Sequence, residues 1–435
     1  MIGHLILLKK KMASKFMINT SWLLFEQIFR MALSLIVTSL MARYLGTENF
    51  GLINYSLAYI IIFTTITNLG IDSIIVNEII KQRGRTGEII GTTIYLRLAS
   101  SIISIFLIYF IISYLNANET IIIWITIIQS FSLLFVVFDT IKYWFQSNLE
   151  SKYIVISKSV AFTIVSTWRL ILIYLEKSIY YFAVATTIEA IVITIFMIVF
   201  YVKFKGPKLI FSIQIMKQLV SKSYQFFIAS LLIMIYTQID KIMLGQITDV
   251  TTVGIYTAAF MIASLWVFIP LALIESARPI IMASKGQSED LYIKKYKQLY
   301  CSIIWISIGA SIVITFLSKP IILIIYGNQF IESVSVLIIL IWSRIFSLIG
   351  STRAIWLTVE NLGKFQIVFV GIGALTNVIL NLILIPRYGA IGAAYSIFIA
   401  EIVSAFLAVL LFKKTRPLFK LIIEAFLFRR EKSEI

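Results

Sequence analysis

Apolar runs of about twenty residues recur from residue 20 to residue 412, separated by short clusters of charged and turn-forming residues. At about 1.5 Å per residue, a run of that length lets a helix cross the roughly 30 Å hydrocarbon core of a bilayer. Within hydrocarbon every backbone N–H and C=O must be satisfied inside the protein, and a helix does this one segment at a time. The pattern predicts an all-α polytopic membrane protein. By length alone, 435 residues would make two or three soluble domains, but 60% of them are hydrophobic and only 14% charged.

Spans bounded by charged or turn residues predict twelve helices, at about 20–42, 51–71, 89–115, 121–141, 155–175, 180–202, 224–245, 253–277, 299–318, 334–355, 365–386 and 390–412. Lysine and arginine in the connections set the orientation. One side carries 28 of them, among them Lys9, Lys10, Lys11, Lys81, Arg83, Lys142, Lys158, Lys205, Arg278 and Lys413; the other carries 4, namely Arg43, Lys177, Lys319 and Arg387. The rich side is cytoplasmic by the positive-inside rule, so both the N and C termini face the cytoplasm. The expected organisation is a cytoplasmic lead 1–19, a first six-helix lobe 20–202, a linker 203–223, a second six-helix lobe 224–412 and a basic tail 413–435. Within that tail, 417–428 is too short to span and reads as an interfacial helix. The longest external connection, about 319–333, has no room for a catalytic domain, and the longest internal ones are 203–223 and 278–298.

Composition removes several function classes. The net charge of +17 is dispersed between apolar runs rather than gathered on one face, which argues for membrane topology and against nucleic acid. With one cysteine, Cys301, and one histidine, His4, the chain lacks the parts of a Cys/His metal site, a Ser/His/Asp triad or a disulfide framework. There is no P-loop, and no cofactor is implied. The lead places its apolar residues before Lys9–Lys11, the reverse of a signal peptide, and Met12 or Met17 is an alternative start.

The remaining 6 of the 38 basic residues, Arg30, Arg97, Arg169, Lys241, Arg344 and Arg353, fall at membrane depth. A charge there costs roughly 2.5–3.5 kcal/mol at the centre of a helix, so each needs a partner or a purpose. Glu26 and Arg30 are four residues apart and share a helix face. Lys158 and Arg169, about three turns apart, form a basic stripe. Arg344 falls mid-helix; Arg353, about half a turn out of phase, is assigned to the cytoplasmic interface. Arg97 either faces a cavity or snorkels to the cytoplasm. Asp240 and Lys241 form either an interfacial pair near the outer end of helix seven or a gating pair. Glu189 and Glu401 are coupling residues or structural partners of the cations. Pro270 and Pro279 bracket Glu275 and Arg278 on helix eight and predict a kink there, Pro279 reading equally well as the end of that helix. A basic inner surface suits an anionic ligand, because arginine grips phosphate oxygens by paired hydrogen bonds.

The two halves also echo one another. Leu45-Gly46 with Gly51 to Tyr55 parallels Leu244-Gly245 with Gly254 to Tyr256, and Ile188-Glu189 to Val192 parallels Ala400-Glu401 to Val403. Both halves start on the cytoplasmic side, so the repeat is parallel and a substrate path would run between its members.

Asn19 to Trp22, Ala42 to Gly51, Tyr143 to Gln146, Ile239 to Gly245, Tyr326 to Phe330 and Asn381 to Ala394 together resemble bacterial polysaccharide biosynthesis flippases of the Wzx type, within the MOP exporter superfamily. The resemblance implies two six-helix lobes around a cavity that opens alternately to either side, as in MATE-like transporters. It implies transport of an undecaprenyl-diphosphate-linked oligosaccharide from the cytoplasmic to the periplasmic leaflet of the inner membrane, for O-antigen or capsule. Implied partners are the lipid bilayer, an H+ or Na+ gradient, a polysaccharide polymerase and a chain-length regulator. Carried over, Arg30, Arg169, Lys241, Arg344 and Arg97 are candidates for the substrate's anionic groups, and Glu26, Asp240, Glu189 and Glu401 for coupling or pairing. Alternatives in the same fold are a drug exporter, which would show acid-dominated spans, and a lipid II flippase, which would add two helices. A membrane glycosyltransferase or polymerase would need a large external loop.

Overall fold

The computed structural model describes residues 2–427, with side chains at Asn19 and from Ser21 onward. His4, Lys9, Lys10, Lys11 and Lys15 in their side chains, and Phe428 with the tail beyond it, lie outside the described residues.

Every regular element among the described residues is helical. The first half contains α1 (Ile2–Asn68), α2 (Ile75–Lys81), α3 (Thr86–Leu115), α4 (Thr120–Ser130), α5 (Ser132–Val136), α6 (Lys142–Ser147), α7 (Ser151–Tyr174) and α8 (Ile179–Lys203). A 3-10 stretch, Val137–Ile141, joins α5 to α6. Then follow α9 (Ile213–Ile247), α10 (Val250–Leu265), α11 (Phe268–Lys285), α12 (Glu289–Ile325), α13 (Ser333–Val359), α14 (Lys364–Ile402) and α15 (Arg416–Phe426). Among the described residues, 9 helices are long and apolar enough to cross a membrane, and the bent pair α10–α11 makes up to 10. Two of these, Ser21–Asn68 and Lys364–Leu410, hold 48 and 47 residues, about twice what one crossing needs. Each is interrupted by one glycine in a non-helical conformation, Gly46 (φ 76°, ψ 176°) and Gly389 (φ 52°, ψ −128°). Such backbone is ordinarily reserved for glycine, so the break is concentrated in one residue where the sequence suggests a loop.

Several boundaries move for physical reasons. The expected connections 278–298 and 319–333 shrink, because α11 continues to Lys285, α12 starts at Glu289 and α12 ends at Ile325. Charge marks where a span leaves hydrocarbon; caps decide where the helix stops. The Ser288 side chain accepts from Leu291 N–H at the start of α12, and Asp249 accepts from Thr252 N–H at the start of α10. Helix eight bends by 42° at residues 266–267, ahead of the stretch between Pro270 and Pro279 rather than within it. Pro270 explains this, since it lacks the N–H that would bond the Trp266 carbonyl and its ring crowds that carbonyl. Pro279, by contrast, does not end its helix.

The chain divides into two compact units, Met1–Leu45 with Ser56–Met234, and Gly46–Tyr55 with Ile235–Ile435. The first unit packs Ile71, Ile75, Ile89, Val137, Phe145 and Met197 into its core. Its outer face carries Ile103, Phe106 and Phe110 of α3 exposed, as hydrocarbon allows and water would penalise. The second unit is built on Tyr292, Tyr296 and Tyr300, one turn apart on α12; Tyr296 Oη donates to the Thr352 carbonyl (2.9 Å) of α13. The apolar face of α15, Leu418, Ile422 and Ala425, is buried in the same core, and Lys297 Nζ reaches Glu424 Oε2 at 2.8 Å.

Within the second unit, the two echoing glycine motifs meet directly. A Cβ built on Gly51 would lie 1.7 Å from the Val250 carbonyl oxygen, and one on Gly254 would lie 2.1 Å from that of Thr47. The glycines are there because two backbones touch.

In the first unit, Glu78 fastens the short helix α2 to α9. Its buried carboxylate accepts from Lys222 Nζ (2.9 and 3.0 Å), Gln218 Nε2 (2.6 Å) and Gln82 Nε2 (3.1 Å). Burial alone would raise this carboxyl; the bonds and charge of Lys222, with Gln218, outweigh it and hold it below the ordinary 4.5. A depressed folded value means that the stabilisation is complete above the unfolded value and is lost as pH falls through the folded one. Backbone amides of α2, corrected for intrinsic rates, should therefore exchange hydrogen faster at pH 4 than at pH 7. Glu78→Gln should remove that difference.

Candidate functional site

Each unit holds charged side chains within its apolar helices. In the first, Glu26 and Arg30 lie one turn apart on α1, and Arg30 Nη1 is 3.5 Å from Glu26 Oε1. Its Nη2 is 3.6 Å from Glu189 Oε1 of α8, and its guanidinium lies 5.2 Å from the centre of the Phe162 ring. This cluster borders a cavity of about 300 Å³ whose polar lining includes Arg30, Thr64, Asp139, Lys158, Thr186 and Glu189. Asp139 sits in the 3-10 stretch and pairs with Lys142. A tight stretch inside a span often marks a hinge, and here it is where the acid enters.

Arg169 stands about three turns beyond Lys158 on α7, half-buried. It has no ion pair within 4.0 Å among the described residues, its Nε is buried without a hydrogen-bond partner, and Glu189 supplies the nearest opposite charge. Arg97 is placed elsewhere: it is 1% exposed and does not border the cavity. It pairs with Asp72, bonds Thr140 Oγ1 (2.9 Å), and lies 5.9 Å from the Tyr143 ring, whose hydroxyl also donates to Asp72. Those partners hold it inside the first unit.

In the second unit, Asp240 of α9 is 1% exposed. Its Oδ1 accepts from Asn377 Nδ2 (2.9 Å) and Asn381 Nδ2 (2.7 Å) of α14, and its Oδ2 from Tyr256 Oη (2.7 Å). Lys241, next in sequence, turns instead to Gln238 Oε1 (3.2 Å) and to the Phe260 ring at 5.3 Å. That ring also takes the Arg344 guanidinium at 4.5 Å. Arg344 Nη2 donates to Ser264 Oγ (3.3 Å), while its Nε is buried without a partner. Glu401 is the principal opposite charge near Arg344, with the Ser347 and Tyr236 hydroxyls beside it. Arg353, expected at the cytoplasmic interface, is packed within the second unit. Its side chain is buried, donating to the Ser404 carbonyl and to Gln366 Oε1 (3.3 Å) and lying 4.5 Å from the Phe369 ring. The π-helical turn Val403–Leu407 after α14 displaces its carbonyls from the ordinary helical ladder, and a guanidinium fills the gap.

The echoing glutamates thus play like parts, Glu189 toward Arg30 and Arg169, Glu401 toward Arg344. Sequence reasoning passed over Asp139, Asp72, Asn377, Tyr236 and Tyr256. Asn377 and Asn381 carried a usable signal, two amides four residues apart in an otherwise apolar span. The arrangement can do two things chemically. Guanidinium groups with unused donors can receive acceptor oxygens, and carboxylates held near neutral hydrogen-bonding groups can exchange a cation or a proton.

The whole fold has solved counterparts. Over 93% of its length the chain is similar to the lipid II flippase MurJ in an inward closed conformation, with a TM-score of 0.73, 18% identity and 90% of that chain covered. Over 91% it is similar to an inward-facing multidrug resistance MATE family transporter of the MOP superfamily, with a TM-score of 0.67, 15% identity and 96% of that chain covered. The fold is that of the MOP superfamily transporters. Residues 16–284, more than half of the chain, match the polysaccharide biosynthesis protein family, and the chain belongs to it. It is also 28% identical over 180 residues to the probable flippase AglR of Haloferax volcanii. That stretch covers 40% of this chain and 38% of the relative, well under half the relative's length.

Proposed function

We propose that this chain flips undecaprenyl-diphosphate-linked oligosaccharide repeat units from the cytoplasmic to the periplasmic leaflet of a bacterial inner membrane, by alternating access and driven by an H+ or Na+ gradient, to supply O-antigen or capsule synthesis. The observation that carries this reading is that Arg169 and Arg344 keep guanidinium donors without a partner among the described residues, whereas Arg97 and Arg353, whose Nε is likewise unpartnered, bond through both of their other nitrogens. A diphosphate brings the acceptor oxygens that such groups lack. Arg30, already engaged by Glu26 and Glu189, and Lys241 act beside them, while Arg97 holds its helices in place. Glu189, Glu401 and Asp240 are the coupling carboxylates, a role suited to groups that exchange partners as the cavity opens and closes. Family membership and the relative named a probable flippase support the substrate class.

Counting each glycine-interrupted helix as two crossings and α10–α11 as one gives twelve spans in two lobes, with both termini cytoplasmic. A polymerase and a chain-length regulator would take over the product. The test is a strain lacking the gene. Lipid-linked repeat units should accumulate in its membranes, shielded from a glycosidase added to the periplasm, and the wild-type chain should restore access. Units equally accessible with and without the chain would sink the proposal. A periplasm-only reporter fused at Gly286 should be silent; activity there would reverse the orientation.

A further inference from the structure

A second cavity of the first unit shares no lining residue with the one bordered by Arg30. It measures about 400 Å³, within the roughly 300–1,000 Å³ of small-molecule sites. It lies where α2, the start of α3, the end of α6 and the segment after α8 converge. Among the described residues, Arg83 and Lys205 are its only charged lining residues and no carboxylate borders it. Of the basic residues near them in sequence or in space, Arg85 pairs with Glu88, Lys142 with Asp139 and Lys222 with Glu78, whereas Lys81, Lys203 and Lys208 pair with nothing among the described residues and do not line the cavity. Arg83 and Lys205 have no ion pair among the described residues.

The rest of the lining complements an anion attached to a carbon skeleton. Thr86 opens α3, a 30-residue helix, so the positive end of that helix's dipole meets the cavity. Asn148 adds an amide. Trp144, held edge-on against Phe145 (4.8 Å) and Tyr201 (5.1 Å), makes a rigid apolar wall. Lys205 is fixed by the cap of α8, where Gly206 N–H bonds the Tyr201 carbonyl (2.8 Å) and Lys205 N–H that of Val202 (3.0 Å). This puts Lys205 at φ 53°, a position that glycine usually takes.

We propose that this cavity binds a phosphate group through Arg83 and Lys205, carried either by an anionic phospholipid headgroup or by a soluble phosphate ester. The full-length chain, in nanodiscs of phosphatidylcholine with or without phosphatidylglycerol, should retain phosphatidylglycerol preferentially in native mass spectra or bind inorganic diphosphate in titration. Phosphatidylglycerol that diphosphate cannot displace identifies the lipid headgroup as the source; displacement identifies the soluble ester. Arg83→Gln and Lys205→Gly should each weaken binding by roughly tenfold or more, as expected for loss of a charge-assisted contact. Lys208→Gln, a neighbouring cation outside the cavity, should leave it unchanged. Lys205→Gly relieves the left-handed backbone, so its thermal midpoint should be at least that of wild type and a loss of binding cannot be ascribed to unfolding. Equal retention of both lipids with no diphosphate bound overturns the proposal. So does binding that survives both cavity substitutions.

Discussion

Arg344→Ala should cut surface polysaccharide by roughly tenfold or more, the worth of a lost charge-assisted contact to phosphate, while the protein's level in the membrane stays normal. The expectation follows from how Arg344 is held. Its planar group is placed against Phe260 and anchored at one corner by Ser264, which leaves donors for a ligand. Arg344→Lys keeps the charge but loses the fork, so it should fall between wild type and alanine. Removing the cation also strands Glu401, and an uncompensated buried carboxylate can destabilise a bundle. The double substitution Arg344→Ala with Glu401→Gln separates the two effects: transport should stay low while membrane levels remain normal. Arg169→Ala should behave similarly in the first unit. Arg30→Ala should also impair display, with part of its effect arising from the release of Glu26 and Glu189. Wild-type display in all three alanine variants would remove the case for a phosphate-gripping role.

The second large effect concerns folding. Gly51→Ala should lower the thermal midpoint and the amount of folded protein more than any single change at a half-exposed position. The nearest atoms to the added methyl, the Val250 carbonyl and the Gly254 amide nitrogen, are all backbone. Overpacking against side chains typically costs about 1–3 kcal/mol, because rotamers yield. Here two chain segments must separate, so the loss should reach the top of that range or pass it. Gly371→Ala is the counterpart, a helical glycine with nothing within 4 Å of the added carbon. It should be neutral or stabilising by about 0.5–1 kcal/mol. Equal midpoints for the two variants would contradict the close approach.

Much of this architecture can be read in the sequence, because hydrocarbon leaves few choices: the run lengths demand helices, and the rare charges within them demand partners. The Glu26–Arg30 pair is legible because both ends lie on one helix. Asp240 is legible as a charge at membrane depth, but its environment is not. Two of its three donors sit 137 and 141 residues away on α14, and only the fold brings them to it. Arg353 illustrates the same limit. Its phase on α13 takes it out of line with Arg344 and assigns it to the cytoplasmic interface, whereas the π-helical turn that employs it has no obvious signature in Val403–Leu407. The helix limits were misjudged wherever capping side chains, such as those of Ser288 and Asp249, carried a helix beyond its apolar run.

The assignment of Gly46–Tyr55 to the second unit has a bearing on how the chain can be made and divided. During synthesis this segment emerges nearly two hundred residues before Val250 and Gly254, against which it finally packs. It must therefore wait, already inserted, until the latter half arrives. A cut in the 203–223 region would give a carboxy-terminal fragment missing one piece of its own core, and an amino-terminal fragment holding that piece without a place for it. Such fragments should recover a native structure when produced together, and neither should do so when produced alone.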